Sequence, residues 1–361
     1  MSNLTSFEPN WISQPGDTIA NILEEKQISI NTFAKQMNSS IDFINTLIKG
    51  QAIINEEISA KLSNILGSTA QFWLRREKRY REELKRFRDL EEQIWLKQFP
   101  AGDMVKFGWI SPEDKVNPSA FLDYFGVDGV QSFEKKYSVE MAMVSFRTST
   151  TYSQQAGAVA AWLRIGELKA NEIVCSPWNA QKFRSALDEI KKLTRSKDPK
   201  DFIPILTALC AECGVALVIA PAPTGCRASG VTKFLNPKKA FLMLSFRYLS
   251  DDHFWFTFFH EAGHLLLHGN KAVFIEEVGK EKEISDEEKE ANDFSAEILV
   301  PQTLRPQLLK VSASNKRAVI SFATLAGVSP GIIIGQLQFM QKIDYGKFNS
   351  YKRRYSWEDI F

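Results

Sequence analysis

The sequence predicts a mainly helical α+β protein: an N-terminal helix-turn-helix bundle, a helical linker, and a C-terminal part in which a small sheet packs on one buried helix. Short helical patterns with tight turns run from about Pro15 to Leu74, and helical periodicity continues to about Lys197. From Pro199 the pattern changes to one helix, three strand-like runs and an apolar helix that holds every histidine of the chain. At 361 residues there is room for two or three domains with a substantial core. The divisions fall at residues 10–80, 81–198, 199–302 and 303–361.

In the first division, helices are expected at Thr18–Lys26, Ile30–Met37, Ile41–Ile48 and Glu56–Leu66, from apolar residues three and four apart. Ser29 and Ser40 are N-cap candidates, and Gly50 and Gly67 stand where helices stop. In a helix-turn-helix, Ile41–Lys49 would be the recognition helix, with Asn45, Thr46 and Lys49 as DNA-contact candidates. Acids and bases nearly balance across this stretch, and phosphate attraction supplies much of DNA affinity. DNA binding therefore needs a homodimer or neighbouring bases, and a protein-docking helical module is the alternative reading. The run Gln14-Pro-Gly-Asp-Thr-Ile, then Ala34-Lys-Gln-Met and Ala70-Gln-Phe-Trp-Leu, resembles the HigA branch of XRE-type DNA-binding domains.

Arg75–Lys97 reads as a long amphipathic helix, because Trp73, Tyr80, Phe87 and Ile94 repeat every seven positions beside Leu84 and Leu90. Its charges are read as a solvated face with internal ion pairs. The linker beyond Pro100 offers helices at Phe121–Phe125, Ala156–Leu168 and Asn179–Thr194, and no catalytic constellation.

Composition excludes little else. A hydrophobic fraction of 44% with 24% charged residues is ordinary for a globular protein, and a net charge of +2 gives no global reason for binding nucleic acid or membrane. No apolar run approaches the roughly 20 residues that span a bilayer, and Met1–Asp17 lacks the features of a secretory signal. A cytoplasmic protein with no membrane partner is expected. The pair Cys210-x-x-Cys213 has no second pair at zinc-knuckle spacing, so reduced core thiols are expected.

The C-terminal part begins with a helix over Phe202–Cys213, then strands at Val215–Ala220, Cys226–Leu235 and Ala240–Phe246. Gly230–Leu235 is the candidate for a free edge able to pair with an extended peptide. The next helix contains His260-Glu-Ala-Gly-His264. Imidazoles at i and i+4 project about 40° apart on one face, close enough to share an ion, with Glu261 beside them to take a proton from water. That is the chemistry of a zinc-dependent hydrolase.

Such a site needs a third protein ligand. The metzincin pattern requires a histidine where this chain has Asn270. His268 continues the i+4 series, but the outer pair is then about 12 Å apart along the axis, so it reads as a groove or capping histidine. The next helix, Asp286–Val300, follows an acidic loop at Glu276–Ser285, and its stripe of Ala291, Ser295 and Ile298 extends back to Glu288 and leaves Glu290 to one side. Ser285-x-x-Glu288 is also a capping-box spacing, yet a carboxylate on an apolar face needs a partner, and a metal ion is one.

His260-Glu-Ala-Gly-His-Leu-Leu-Leu-His268, followed by Glu288-Lys-Glu-Ala-Asn-Asp-Phe-Ser-Ala-Glu-Ile-Leu-Val-Pro301, resembles the ImmA/IrrE family of bacterial metallopeptidases. Ser245-Phe-Arg-Tyr, Asp252-His-Phe-Trp-Phe-Thr-Phe-Phe and Ser329-Pro-Gly-Ile-Ile-Ile-Gly-Gln-Leu-Gln resemble the subgroup with a HigA-like N-terminal domain. The resemblance implies a zincin-like core with Zn2+ on His260, His264 and Glu288, and Glu261 as the catalytic glutamate. Phe294-Ser-Ala replaces the usual Phe-Ala-Ala, without loss of a catalytic position. Asn292, one turn past Glu288, is a second-sphere candidate; Arg247 or Tyr248 is a candidate for stabilising the oxyanion, and His268 for touching substrate.

The expected function is a zinc endopeptidase that cleaves a regulatory protein, with a helix-turn-helix repressor as the substrate implied by the family. The alternative is an antitoxin-like DNA-binding regulator, paired with a toxin, whose metal site is sensory or structural. The segment from Thr303 to Phe361 is expected to be helical, with Lys352-Arg-Arg and Trp357 as a docking patch or a packed tail.

Overall fold

The computed structural model describes residues 13–144, 150–269, 274–277 and 285–360, which fall into two compact units divided between Ile94 and Trp95. The first contains α1 (Pro15–Glu25), α2 (Ile30–Met37), α3 (Ile41–Ile48), α4 (Glu56–Leu66) and most of α5 (Ala70–Leu96). Pro15 supplies the fixed φ of a first helical turn, and Ser29, Ser40 and Asn55 each accept a backbone N–H at a helix start. Ile19, Phe33, Met37, Ile44, Leu47, Leu62 and Trp73 form the core. Gly16 lets α1 reach the backbone of α3, because a Cβ there would lie 2.8 Å from Ile48 Cα.

The stripe of α5 is buried only in its first half. Trp73 and Tyr80 are covered and Phe87 is partly covered, whereas Leu90 and Ile94 are 55% and 59% exposed. Pairs four residues apart, such as Arg79–Glu83 and Arg81–Glu77, run along the helix as the charge pattern predicts.

The second unit opens with α6 (Ala101–Lys106), α7 (Pro118–Phe125), α8 (Val130–Val144) and α9 (Thr150–Glu172), packed through Trp95, Phe99, Phe121, Phe125, Phe133 and Tyr137. Then come α10 (Ala180–Leu193), α11 (Pro199–Glu212), β1 (Val215–Ile219), β2 (Ala228–Asn236), β3 (Lys239–Leu244), α12 (Asp251–Leu267), β4 (Phe274–Glu277) and α13 (Asp286–Leu299). The strands form one sheet in the order β1-β3-β2-β4, with β1 and β3 parallel and the other pairs antiparallel. Residues 278–284, most of the expected acidic loop, lie outside the described residues, as do residues 1–12 of the N-terminal segment.

Both faces of the sheet are covered, and side-chain alternation separates two cores. Val215, Leu217 and Ile219 with Ala240, Leu242 and Leu244 face Phe202, Phe254 and Phe258, while Ala216, Val218, Phe241 and Met243 face Trp162 of α9. Gly166 lets α9 settle on β3, since a Cβ would lie 2.6 Å from the Phe241 ring. Cys210 and Cys213 are buried free thiols in the first of these cores.

Three expectations change here. The free edge assigned to Gly230–Leu235 is covered from Gly230 to Thr232, where β4 pairs with β2 and places that part of β2 inside the sheet. The four-residue run Phe274-Ile-Glu-Glu277 carried too little alternation to be seen as a strand. The C-terminal segment is helical only in α14 (Arg305–Leu308), α15 (Lys316–Ala326) and α16 (Pro330–Phe339); beyond Met340 it forms turns and two short 3-10 segments. Lys352-Arg-Arg is not an external docking patch in its first two residues. Lys352 is buried against Asp252 at 2.7 Å, and Arg353 donates to the carbonyls of Thr194, Arg195 and Ser196.

No single helix among the described residues is long and apolar enough to cross a membrane. The bent pair α15 and α16 passes by length and composition, but Val319, Phe322, Ile333, Ile334 and Leu337 are core residues.

Candidate metal centre

Helix α12 is buried on nearly all sides, so its sequence is apolar around the whole circumference rather than amphipathic. Phe254, Trp255, Phe258 and Phe259 fill the core beneath it. Its start is fixed by Asp251, which accepts from Ser329 Oγ at 2.7 Å and from the backbone N–H of Arg353 at 3.0 Å, and by the Asp252–Lys352 pair. Gly331 and Gly335 of α16 leave space for these carboxylates: a Cβ on either would lie 2.7 Å from Asp251 Oδ2 or 2.9 Å from Asp252 Oδ2.

In the middle of this helix three ionisable side chains are buried together: His260, Glu261 and His264 are 1%, 0% and 1% exposed. Gly263 between them admits α13, whose Ala291 Cα and Phe294 ring approach to 3.3 and 3.1 Å of a virtual Cβ. Ser295 ties the two helices by donating to the Phe256 carbonyl at 2.9 Å. This close approach brings Glu288 over the histidines. Its carboxylate oxygens lie 3.2 Å from His260 Nε2 and 3.5 Å from His264 Nε2, and the two Nε2 atoms are 3.0 Å apart.

His260, His264 and Glu288 thus offer one ligand atom each within 4.8 Å of one another. The donor set suits a divalent metal: two imidazole nitrogens and a carboxylate oxygen converge on one point from two helices. Two Nε2 atoms facing each other at 3.0 Å are satisfied together by a cation between their lone pairs. Protonation leans the same way. Burial pulls His264 below the ordinary histidine value. For Glu288 burial acts upward, but before a metal binds, hydrogen bonds from the His260 and His264 rings outweigh it and hold the carboxyl at about 2. Neutral imidazole and ionised carboxylate are the ligating forms.

Helix α13 does more than supply Glu288. Asn292 Oδ1 lies 3.1 Å from His260 Nδ1, on the ring edge away from the triad. Glu290, which the stripe left to one side, lies 3.0 Å from His268 Nε2, and His268 Nδ1 is 3.1 Å from His264 Nδ1. Sequence reasoning missed Glu290, although its offset of two from Glu288 and from Asn292 was visible. It also missed Gly230. That residue of β2 sits directly against the Glu261 carboxylate, and a Cβ would come within 2.6 Å of Glu261 Cγ.

Arg247 donates to the Cys226 carbonyl at 3.2 Å and lines a cavity of about 1080 Å³ with Lys106, Lys169, Arg227 and Trp357. The Tyr248 ring packs on the His253 ring at 4.3 Å. In the N-terminal unit Lys49 is exposed, while Asn45 and Thr46 are partly covered and the Thr46 hydroxyl donates to the Phe43 carbonyl at 2.7 Å.

Fold and site together define a two-part protein: a helical bundle, then a sheet-and-helix domain centred on a His-Glu-x-x-His helix. Residues 222–334 match the model of the M78 peptidase family, described as the IrrE N-terminal-like domain, so the chain carries that domain. The N-terminal region is similar to an Escherichia coli (strain K12) protein described as "Uncharacterized HTH-type transcriptional regulator YddM", with 36% identity over 61 residues. That match takes in 17% of this chain and 65% of the regulator, just under two thirds of its length.

Proposed function

We propose that this protein is a zinc-dependent endopeptidase that cleaves a regulatory protein, with a helix-turn-helix repressor as its substrate. The observation that carries the reading is the triad His260, His264 and Glu288 with Glu261 buried beside it, inside a segment that matches a peptidase family. Zinc on the triad would supply Lewis-acid polarisation of the scissile carbonyl and lower the pKa of water toward 7. Glu261 takes the proton of the attacking water on a carboxylate oxygen and passes it to the leaving amine nitrogen. Gly230 leaves that carboxylate room to do so without moving β2. Asn292 accepts from His260 Nδ1–H and so turns the Nε2 lone pair toward the ion.

The test has two arms. The purified full chain is expected to retain one zinc per molecule. Profiling of new protein N-termini in cells that express the wild type or Glu261→Gln is expected to show cleavages present only with the wild type. A protein that takes up no divalent metal, or identical termini in both cell lines, overturns the reading.

A second reading is favoured by the similarity to an HTH-type regulator: the N-terminal unit binds DNA as a homodimer and the metal site serves sensing or structure, in company with a toxin. It predicts salt-dependent binding to the protein's own promoter, unaffected by Glu261→Gln. Absence of sequence-specific binding at low salt removes it.

A further inference from the structure

We propose that His268 and Glu290 are positioning residues that fix the proton arrangement of His264 for metal binding; this rests on the reading of the triad as a metal centre. The observation is a continuous series of contacts that ends at a ligand. Glu290 Oε2 is 3.0 Å from His268 Nε2, His268 Nδ1 is 3.1 Å from His264 Nδ1, and His264 Nε2 faces His260 Nε2 and Glu288.

Proton counting gives the series a direction. A ligating Nε2 carries a lone pair, so neutral His264 keeps its hydrogen on Nδ1. That hydrogen points at His268 Nδ1, which must then accept. Neutral His268 therefore holds its own hydrogen on Nε2, and Glu290 accepts it. Every contact is satisfied in this arrangement and in no other that leaves His264 Nε2 open. If His268 donated from Nδ1, His264 would accept there, carry its hydrogen on Nε2 and be lost as a ligand. Glu290 selects the productive arrangement, because a carboxylate draws the His268 hydrogen to Nε2.

The series also explains why three histidines stand at four-residue steps although the third is too far along the helix to close on the same ion. His268 caps α12, with a side chain 10% exposed, and its ring stands over that of His264 at a centroid distance of 5.2 Å. Helix α13 then serves both histidine ligands at once: Glu290 acts on His264 through His268, and Asn292 acts on His260 directly. Residues 288, 290 and 292 are one ligand and two orienting groups on consecutive alternate positions.

Metal affinity tests this without any substrate. Zinc dissociation constants are measured by chelator-dye competition on the full chain for wild type, His268→Phe, Glu290→Ala, the double variant, and Asp293→Asn as an exposed control on α13. Loss of an outer partner of a histidine ligand costs roughly 10- to 100-fold in metal affinity. About tenfold weakening is expected for His268→Phe, several-fold for Glu290→Ala, and none for Asp293→Asn. The double variant is expected to match His268→Phe alone, because Glu290 acts only through that ring. Glu290→Gln, which can still accept a hydrogen, is expected to recover most of the affinity lost in Glu290→Ala. Histidine 15N spectra of the zinc-loaded wild type are expected to show His264 protonated at Nδ1 and His268 at Nε2. Full wild-type affinity in both single variants, additive losses in the double, or His268 protonated at Nδ1 overturns the proposal. If the wild type itself takes up no zinc, it is the metal-centre reading that falls.

Discussion

At the scale of single residues, the centre depends on two glycines as much as on its polar groups. Gly263 admits α13 and with it Glu288; Gly230 clears the Glu261 carboxylate. Gly230→Ala is a selective test of the second role. The new methyl group has to displace Glu261, and misplacing a catalytic group by about 1 Å costs on the order of 100-fold in rate. Turnover is therefore expected to fall by about that factor while zinc content stays at the wild-type level, since the three atoms nearest to the new methyl group all belong to Glu261. Equal loss of zinc and activity would mean that the substitution disturbs the sheet instead. Glu261→Gln is the companion: it keeps the shape and removes the base, and peptide hydrolysis is expected to drop by 100-fold or more at unchanged zinc content. Unchanged hydrolysis by the purified variant would remove Glu261 from the mechanism.

At the scale of elements, the tail is part of the centre's support. Residues 349–355 reach the start of α12 through Lys352 and the Arg353 backbone, and α16 reaches it through Ser329 and two glycines. Lys352→Met leaves Asp252 buried without its cation, and removal of one partner from a buried pair costs about 3–5 kcal/mol. A urea unfolding midpoint lowered accordingly is expected, with recovery when Asp252→Asn is added; an unchanged midpoint would show that the pair is dispensable. This support was not legible in the sequence. Lys352-Arg-Arg looks like any solvated basic run, because a buried ion pair across 100 positions leaves no periodic trace. Helices capped by Ser29 and Ser40, and the continuous apolar runs of β1 and β3, were legible because local sequence encodes them. The convergence of His260, His264 and Glu288 was legible through the fixed i, i+4 spacing and a stripe that led to Glu288. Glu290 and Gly230 were not, since their roles arise only when α13 and β2 come to lie against α12.

At the scale of the whole molecule, the two compact units predict two separable unfolding events with different sensitivities. All three triad residues lie in the unit from Trp95 onward, so zinc held there would stabilise that unit. A ligand at 100 times its dissociation constant adds about 2.7 kcal/mol to the state that binds it. For a unit of this size each kcal/mol moves the midpoint by roughly 2–4 °C. Chelation is therefore expected to lower one calorimetric transition by about 5–10 °C and leave the other in place. Ile44→Ala identifies the second transition independently. It opens a cavity in the N-terminal core and costs about 2–5 kcal/mol there, so it should shift only the transition that ignores chelator. If chelator and Ile44→Ala move the same transition, the units unfold as one cooperative body.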